Sequence, residues 1–298
     1  MNLKNIDENK HFVGIYEKAI DKRYSFEEKI EIAKEAGFDF IELSVDESDE
    51  FSARLNWTDK RINAIKMKLN KEKFYINSMC LSLHRKYPFG SESAKTRQKA
   101  LLIMEKALIL AKKLGIRIIQ LAAYDVYYDP WHKQAENYFI KTVKQAAKLA
   151  QKYSITLAFE TMDTKFASTI TRCLYLIKKI NMPNLFVYPD LGNLNRFSND
   201  IETEIKLGQD KIVAFHFKDT LENTFKNVDF GHGDVDFVRS LRAINSIDYQ
   251  GPFLIEMWYK EKDFDLNKTL EENKQVQIDN IKSAREFFLD KLRKANNV

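Results

Sequence analysis

A single closed (β/α)₈ barrel is the fold class this sequence predicts, and three observations predict it. Short apolar runs alternate with amphipathic helical segments from one end to the other, the pattern of parallel strands joined by crossover helices. Eight of each fit into 298 residues, a length that suits a closed eightfold barrel better than an open sheet. No linker, low-complexity tract or composition shift divides the chain, so residues 1–298 read as one domain.

Each element has a local reason. Phe12 to Tyr16 is the first strand. The helix from Ser25 to Ala36 opens on Ser25 with Glu28 three later and closes on Gly37. Phe38 to Val45 is strand two, followed by a helix from Thr58 to Glu72. Phe74 to Leu83 is strand three, and a long amphipathic helix from Ser93 to Leu114 stops at Gly115. Strand four is Ile116 to Ala122, and the fourth helix runs from Trp131 to Tyr153. Strand five ends at Glu160, helix five spans Ser168 to Ile180, and Pro183 stops it. Strand six leads to Asp190 and a short helix from Asp200 to Leu207. Strand seven carries His216, and after a long glycine-containing loop comes helix seven, Asp236 to Ile247. Strand eight carries Glu256, and a last helix from about Leu266 to Lys294 closes the chain.

Strands five to eight share a feature. Leu157-Ala158-Phe159 ends at Glu160, Leu185 to Pro189 at Asp190, Ile212 to Phe215 at His216, and Pro252 to Ile255 at Glu256. These four residues are spaced 30, 26 and 40 positions apart, enough for a helix and a return to the sheet. At the carboxyl ends of successive parallel strands they would converge on one point. Three carboxylates and one imidazole suit a hard-to-borderline divalent ion, Zn²⁺ or Mn²⁺ first. Taken singly, each carboxylate reads equally well as a cap for the next helix.

Composition sets outer limits. Hydrophobic residues make up 44% and charged residues 31%, an ordinary globular balance. The net charge of +5 comes from 48 basic and 43 acidic residues spread along the chain. That spread suits a phosphorylated small molecule and argues against a nucleic-acid surface. Two cysteines, Cys80 and Cys173, without a C-x-x-C pair, give no disulfide framework. Residues 1–11 are polar and no apolar run approaches the ~18 residues of a membrane span. A cytoplasmic protein with no membrane partner is expected.

Longer stretches carry a resemblance. Ala158-Phe-Glu-Thr-Met-Asp163, Tyr188-Pro-Asp-Leu-Gly-Asn193, His216-Phe-Lys-Asp219 and Leu254-Ile-Glu-Met-Trp258 resemble the xylose-isomerase-like TIM-barrel superfamily. Within it they are most similar to the L-ribulose-5-phosphate 3-epimerases (L-xylulose-5-phosphate 3-epimerases) of bacterial L-ascorbate breakdown. Gly14-Ile-Tyr-Glu-Lys-Ala19, Gly37 to Glu47, Ser78 to Arg85 and Gln120 to Tyr128 extend the likeness over nearly the whole chain. The resemblance implies epimerisation of a ketopentose phosphate at carbon 3. It implies a divalent metal held by Glu160, Asp190, His216 and Glu256, with the two glutamates moving the proton. It also makes a homodimer the expected assembly. Asn193 stands where epimerases of unphosphorylated ketoses usually have histidine.

The residue types suit that chemistry. A divalent ion chelating the C2 and C3 oxygens favours the enediolate. One glutamate takes the C3 proton while the other returns one from the opposite face, acid–base help of ~10²–10⁴-fold per group. Asn193 is a candidate substrate contact, Asp219 accepts a hydrogen bond either behind the metal ligands or from the substrate, and Glu42 either touches substrate or supports the metal ligands. Phosphate donors are sought in two places: His84, Arg85 and Lys86 after strand three, or Lys226, Asn227 and the Gly231-His232-Gly233 turn after strand seven. His84 reads either as a substrate contact or as a plain surface histidine. Tyr124, Tyr127, Tyr128 and Trp131 read as a pocket wall or a packing cluster, and Cys80 as a small apolar strand residue. The competing functions are an aldose–ketose isomerase, a metal-dependent abasic-site endonuclease and a non-catalytic sugar-phosphate binder. Five histidines in all are few for the endonuclease.

Overall fold

The computed structural model describes residues 11–265 and 267–297. The expectations for the first ten residues and for Leu266 fall outside that range. Eight strands, β1 (Val13–Tyr16), β2 (Phe40–Val45), β3 (Tyr75–Leu81), β4 (Ile118–Ala122), β5 (Thr156–Glu160), β6 (Leu185–Tyr188), β7 (Phe215–Phe217) and β8 (Phe253–Ile255), lie in one sheet. Their order is β6-β5-β4-β3-β2-β1-β8-β7, every ladder parallel.

The sheet curls into a nearly closed TIM barrel. β6 and β7 meet through isolated bridges, Val187 with Ile212 and Asp190 with His216, instead of a full ladder. The backbone N–H of His216 donates to the Pro189 carbonyl at 2.9 Å, but Pro189 has no N–H to give in return. The seam therefore falls where two of the four candidate ligands face each other.

Ten α-helices occur among the described residues: α1 (Phe26–Glu35), α2 (Asp49–Ser52), α3 (Asp59–Glu72), α4 (Ala94–Leu114), α5 (Ala135–Lys152), α6 (Ile170–Ile180), α7 (Leu191–Phe197), α8 (Ile201–Gly208), α9 (Phe237–Ser246) and α10 (Leu270–Asn296). Caps explain most boundaries. Ser25 and Glu28 form the expected capping box on α1, and Thr269 and Glu272 form another on α10. Gly37 and Gly115 adopt φ of 86° and 81°, a left-handed conformation that ends a helix cheaply only at glycine. Two helices go beyond the sequence expectation, α2 and α7. Gly192, Asn193 and Asn195 make α7 a poor helix by propensity. It forms because Asp190 caps it, accepting from Asn193 N, while Leu191 and Leu194 are buried.

Strand alternation sorts the side chains into two sets. Ile41, Leu43, Met79, Leu81, Ile119, Leu157, Val187, Phe215 and Phe253 join the main hydrophobic core beneath the helices. The alternate residues fill the barrel, with Tyr16, Phe40, Cys80 and Leu254 in one cluster and Ala158, Tyr188 and Ala214 in another. Gly14 is part of this fit, since a Cβ there would overlap the Phe40 ring. Above these clusters, toward the carboxyl ends, the same inward positions turn polar.

Candidate metal centre and substrate pocket

Glu160, Asp190, His216 and Glu256 are all buried, and each offers one ligand atom within 4.8 Å of the others. Nδ1 of His216 lies 3.5 Å from Glu160 Oε1 and 3.5 Å from Glu256 Oε2. That nitrogen has no hydrogen-bond partner, and neither Asp190 Oδ2 nor Glu256 Oε2 has one. Lys218 Nζ stands within ion-pair distance of both oxygens, 2.8 and 3.3 Å away. Buried polar atoms seldom go without hydrogen bonds. Such atoms aimed at a common point, oxygen with nitrogen, fit a divalent cation.

The supports hold each ligand. His216 Nε2 lies 3.2 Å from Glu42 Oε1, and Glu42 accepts from Ser78 Oγ at 2.5 Å. A proton on Nε2 directed at Glu42 leaves the Nδ1 lone pair facing the cluster, the usual way a carboxylate fixes a ligating imidazole. Tyr188 packs edge-on against the same ring at 4.5 Å. Asp190 does two tasks: Oδ1 accepts from Asn193 N at 2.7 Å, while Oδ2 faces the cluster. The Thr161 hydroxyl accepts from Asp190 N at 2.9 Å. The cap and the candidate ligand, alternatives in the sequence, are the two oxygens of one carboxylate. Gln120 donates to Glu160 Oε2.

Burial and neighbouring charge compete across the cluster. Burial pushes the Asp190 carboxyl well above its usual range, against the pull of Lys218. Burial also acts against a charged Glu256, yet Lys218 and His216 outweigh it and hold that carboxyl well below its usual range. For His216 burial is outweighed by Tyr188, Glu42 and Glu256, which raise the ring above the ordinary histidine value.

A pocket opens over the cluster, and Arg85, Asn193 and Lys226 line it together with Tyr16, Tyr124 and Trp258. Burial and the nearby Arg85 push the Lys226 ammonium down. Asn193 donates from Nδ2 to the Thr161 carbonyl at 2.8 Å, and its Oδ1 is buried with no hydrogen-bond partner. Of the aromatic residues, Tyr124 lines the pocket and donates to Asp163, whereas Tyr128 and Trp131 are exposed. Cys80 also lines the pocket.

Other expected contacts lie elsewhere. His84 is neither on the surface nor in the pocket. It is buried, packs against Phe89 with the rings tilted by 35° and their centroids 4.1 Å apart, and directs Nε2 to the Ala100 carbonyl at 3.1 Å. Asp219 is spent on its own loop: Oδ2 accepts from Gly231 N and Gly233 N at 2.9 and 3.0 Å, and Oδ1 from Thr220 N at 3.0 Å. The Gly231-His232-Gly233 turn therefore gives its glycine N–H groups to Asp219. Glu42 sits behind His216 and is fully buried.

Two residues in contact with the cluster were given no role from sequence. Gln120 interrupts the apolar strand β4, and a lone amide in such a run is a readable signal. Lys218 follows His216 by two, which places it on the same face of its strand.

An eightfold parallel barrel with a buried three-carboxylate, one-histidine cluster at its carboxyl mouth defines the class. The xylose isomerase-like TIM-barrel family matches residues 30–286, and the chain belongs to that family and, within it, to the L-ribulose-5-phosphate 3-epimerases. The probable L-ribulose-5-phosphate 3-epimerase UlaE of Mycoplasma pneumoniae is 52% identical over 94% of this chain and 90% of its own length. The L-ribulose-5-phosphate 3-epimerase UlaE of Escherichia coli K12 is 42% identical over 83% of this chain and 87% of its own. Among solved structures, a D-psicose 3-epimerase with D-fructose superposes with a TM-score of 0.77 at 19% identity, covering 94% of this chain and 99% of its own. A zinc-bound IolI protein gives 0.76 at 15% identity, covering 96% and 100%. At these identities the structures speak for the fold. No helix among the described residues is long and apolar enough to cross a membrane.

Proposed function

We propose that this protein epimerises a ketopentose phosphate at carbon 3, interconverting L-xylulose 5-phosphate and L-ribulose 5-phosphate, with one divalent metal ion. The observation that carries the reading is the placement of His216 Nδ1 3.5 Å from an oxygen of Glu160 and 3.5 Å from an oxygen of Glu256. Two carboxylates then flank one ligand point, as a proton exchange at the two faces of one carbon requires. The names of the relatives supply the substrate class.

Glu160, Asp190, His216 and Glu256 would hold the ion, Zn²⁺ or Mn²⁺, which when bound polarises the oxygens on C2 and C3. One of Glu160 and Glu256 removes the proton from C3, and the C3–H electron pair moves into the C2–C3 bond to give an enediolate. The other glutamate, which enters the step protonated, delivers that proton to the opposite face of C3 while the first keeps the one it took, and the C2 carbonyl re-forms. The glutamates act at close range in a buried site, where fixed charges count for more than in water. Lys18, Arg85 and Lys226 are the cations lining the pocket that suit a phosphate. Asn193 Oδ1 is an acceptor for a sugar hydroxyl. Breakdown of L-ascorbate is the route that fits such a substrate, and a cytoplasmic homodimer is the form we expect.

The test is conversion of L-xylulose 5-phosphate in D₂O, followed by proton NMR, with metal-loaded protein, with chelator, and with Glu160→Gln and Glu256→Gln. Loss of the C3 proton signal and appearance of the epimer are expected with the loaded protein alone. A ketose phosphate that stays protonated at C3 overturns the reading, and a new aldose makes the protein an aldose–ketose isomerase.

A further inference from the structure

Lys218 is buried, 5% exposed, and its ammonium reaches the same two oxygens, Asp190 Oδ2 and Glu256 Oε2, that face the ligand point. A cation held against ligand oxygens competes with a metal ion for them, so metal binding alone gives no reason for a lysine here. Three carboxyl groups converge, and Glu42 stands behind His216. With the three ionised around a divalent ion, the ion's two charges do not balance them and Lys218 supplies a third. An ammonium has three N–H groups, and both carboxylate oxygens lie within ion-pair distance of it. Lys218 also lines the pocket over the cluster and a second cavity of about 300 Å³ beside it; Glu256 and Trp258 are shared by both. Its charge lies 5.8 Å from the centre of the Trp258 ring.

We infer that Lys218 is a further working residue of this site: it offsets the surplus carboxylate charge around the ion and, from the pocket lining, directs an N–H at the negative oxygen that grows on a ketose substrate. The inference deepens the epimerase reading and rests on it for its kinetic part. Preorganised donors of this kind are worth about 10²–10³-fold in kcat when removed.

The test compares wild type, Lys218→Met and Lys218→Arg for epimerase kcat and for Zn²⁺ affinity measured by competition with a chromogenic chelator. Expected for Lys218→Met is a kcat lower by at least tenfold with Zn²⁺ bound as tightly as in wild type or more tightly, because a competing cation has gone. Lys218→Arg, which keeps the charge, keeps the wild-type affinity. A kcat fall of less than tenfold, or weaker Zn²⁺ binding in Lys218→Met, overturns the inference, since a purely structural lysine would loosen the ligands. Lys218→Gln gives the same two readouts should the methionine variant not fold. Wild-type protein that binds Zn²⁺ but converts no ketose phosphate refutes the epimerase reading instead. The chelator titration then decides the charge role alone: tighter or equal binding in Lys218→Met supports it and weaker binding overturns it.

Discussion

His84 offers a direct contest between a contact role and a core role. Its ring is buried with Nε2 on the Ala100 carbonyl, and Nδ1 has no hydrogen-bond partner. Charging the ring would leave a buried N–H unpaired. Burial accordingly holds its pKa down at about 4, although the Ala100 carbonyl pulls the other way. In the unfolded chain the ring returns to about 6.5. Between those values the unfolded state binds the extra proton, so stability rises with pH through this window. The contribution is complete above about pH 6.5 and is lost as pH falls toward 4. A shift of this size is worth about 3 kcal/mol in full, of which about 2 kcal/mol disappears between pH 7.5 and pH 5. Urea unfolding followed by tryptophan fluorescence at those two pH values measures it. His84→Gln, which keeps a donor but cannot titrate, should lose about 2 kcal/mol less than wild type on acidification, with KM for the ketose phosphate unchanged at pH 7.5. Equal pH slopes for the two proteins would refute the core account, and a raised KM would return His84 to the substrate.

Three further outcomes follow from the same geometry. Glu42→Leu removes the carboxylate behind His216 and should weaken Zn²⁺ binding about 10–100-fold in a chelator competition; unaltered affinity would show that Glu42 does not orient the ring. Glu17 is fully buried against Arg54 and Lys29, and its carboxyl is held low by these two cations against the effect of burial. Glu17→Gln should cost about 3–5 kcal/mol, read as a lower urea midpoint, because two buried cations lose their counter-charge. Asp219→Leu leaves the Gly231 and Gly233 N–H groups without their acceptor. Protease cleavage in the loop between β7 and α9 should then rise while Zn²⁺ affinity stays within threefold.

Much of this was legible one residue at a time. A capping box at Ser25, glycines after α1 and α4, and strand ends turning from apolar to Glu, Asp or His are local signals, and local sterics and hydrogen bonding decide them. The four candidate ligands could be picked out because each polar residue follows its own apolar run. Supporting residues were harder. Gln120 and Lys218 matter through neighbours 40 and 28 positions away, Glu160 and Asp190. His84 follows the same strand as Cys80, but Cys80 lines the pocket while a 3-10 turn, Ser82–Arg85, swings His84 toward α4. Asp219 looks like a contact in sequence, and only the loop's path shows its oxygens filled by backbone N–H groups.

By itself, the sequence determined the alternation of strands and helices and which four strand-end residues converge, because these rest on periodicity and on residue chemistry. Tertiary structure alone decided which oxygen of Asp190 caps a helix and which faces the cluster. It also decided that Glu42 stands behind His216, and that a lysine sits among the carboxylates. Barrel closure brings residues far apart in the chain within 3 to 4 Å, and at that range charge, burial and hydrogen-bond direction are properties of the assembled site.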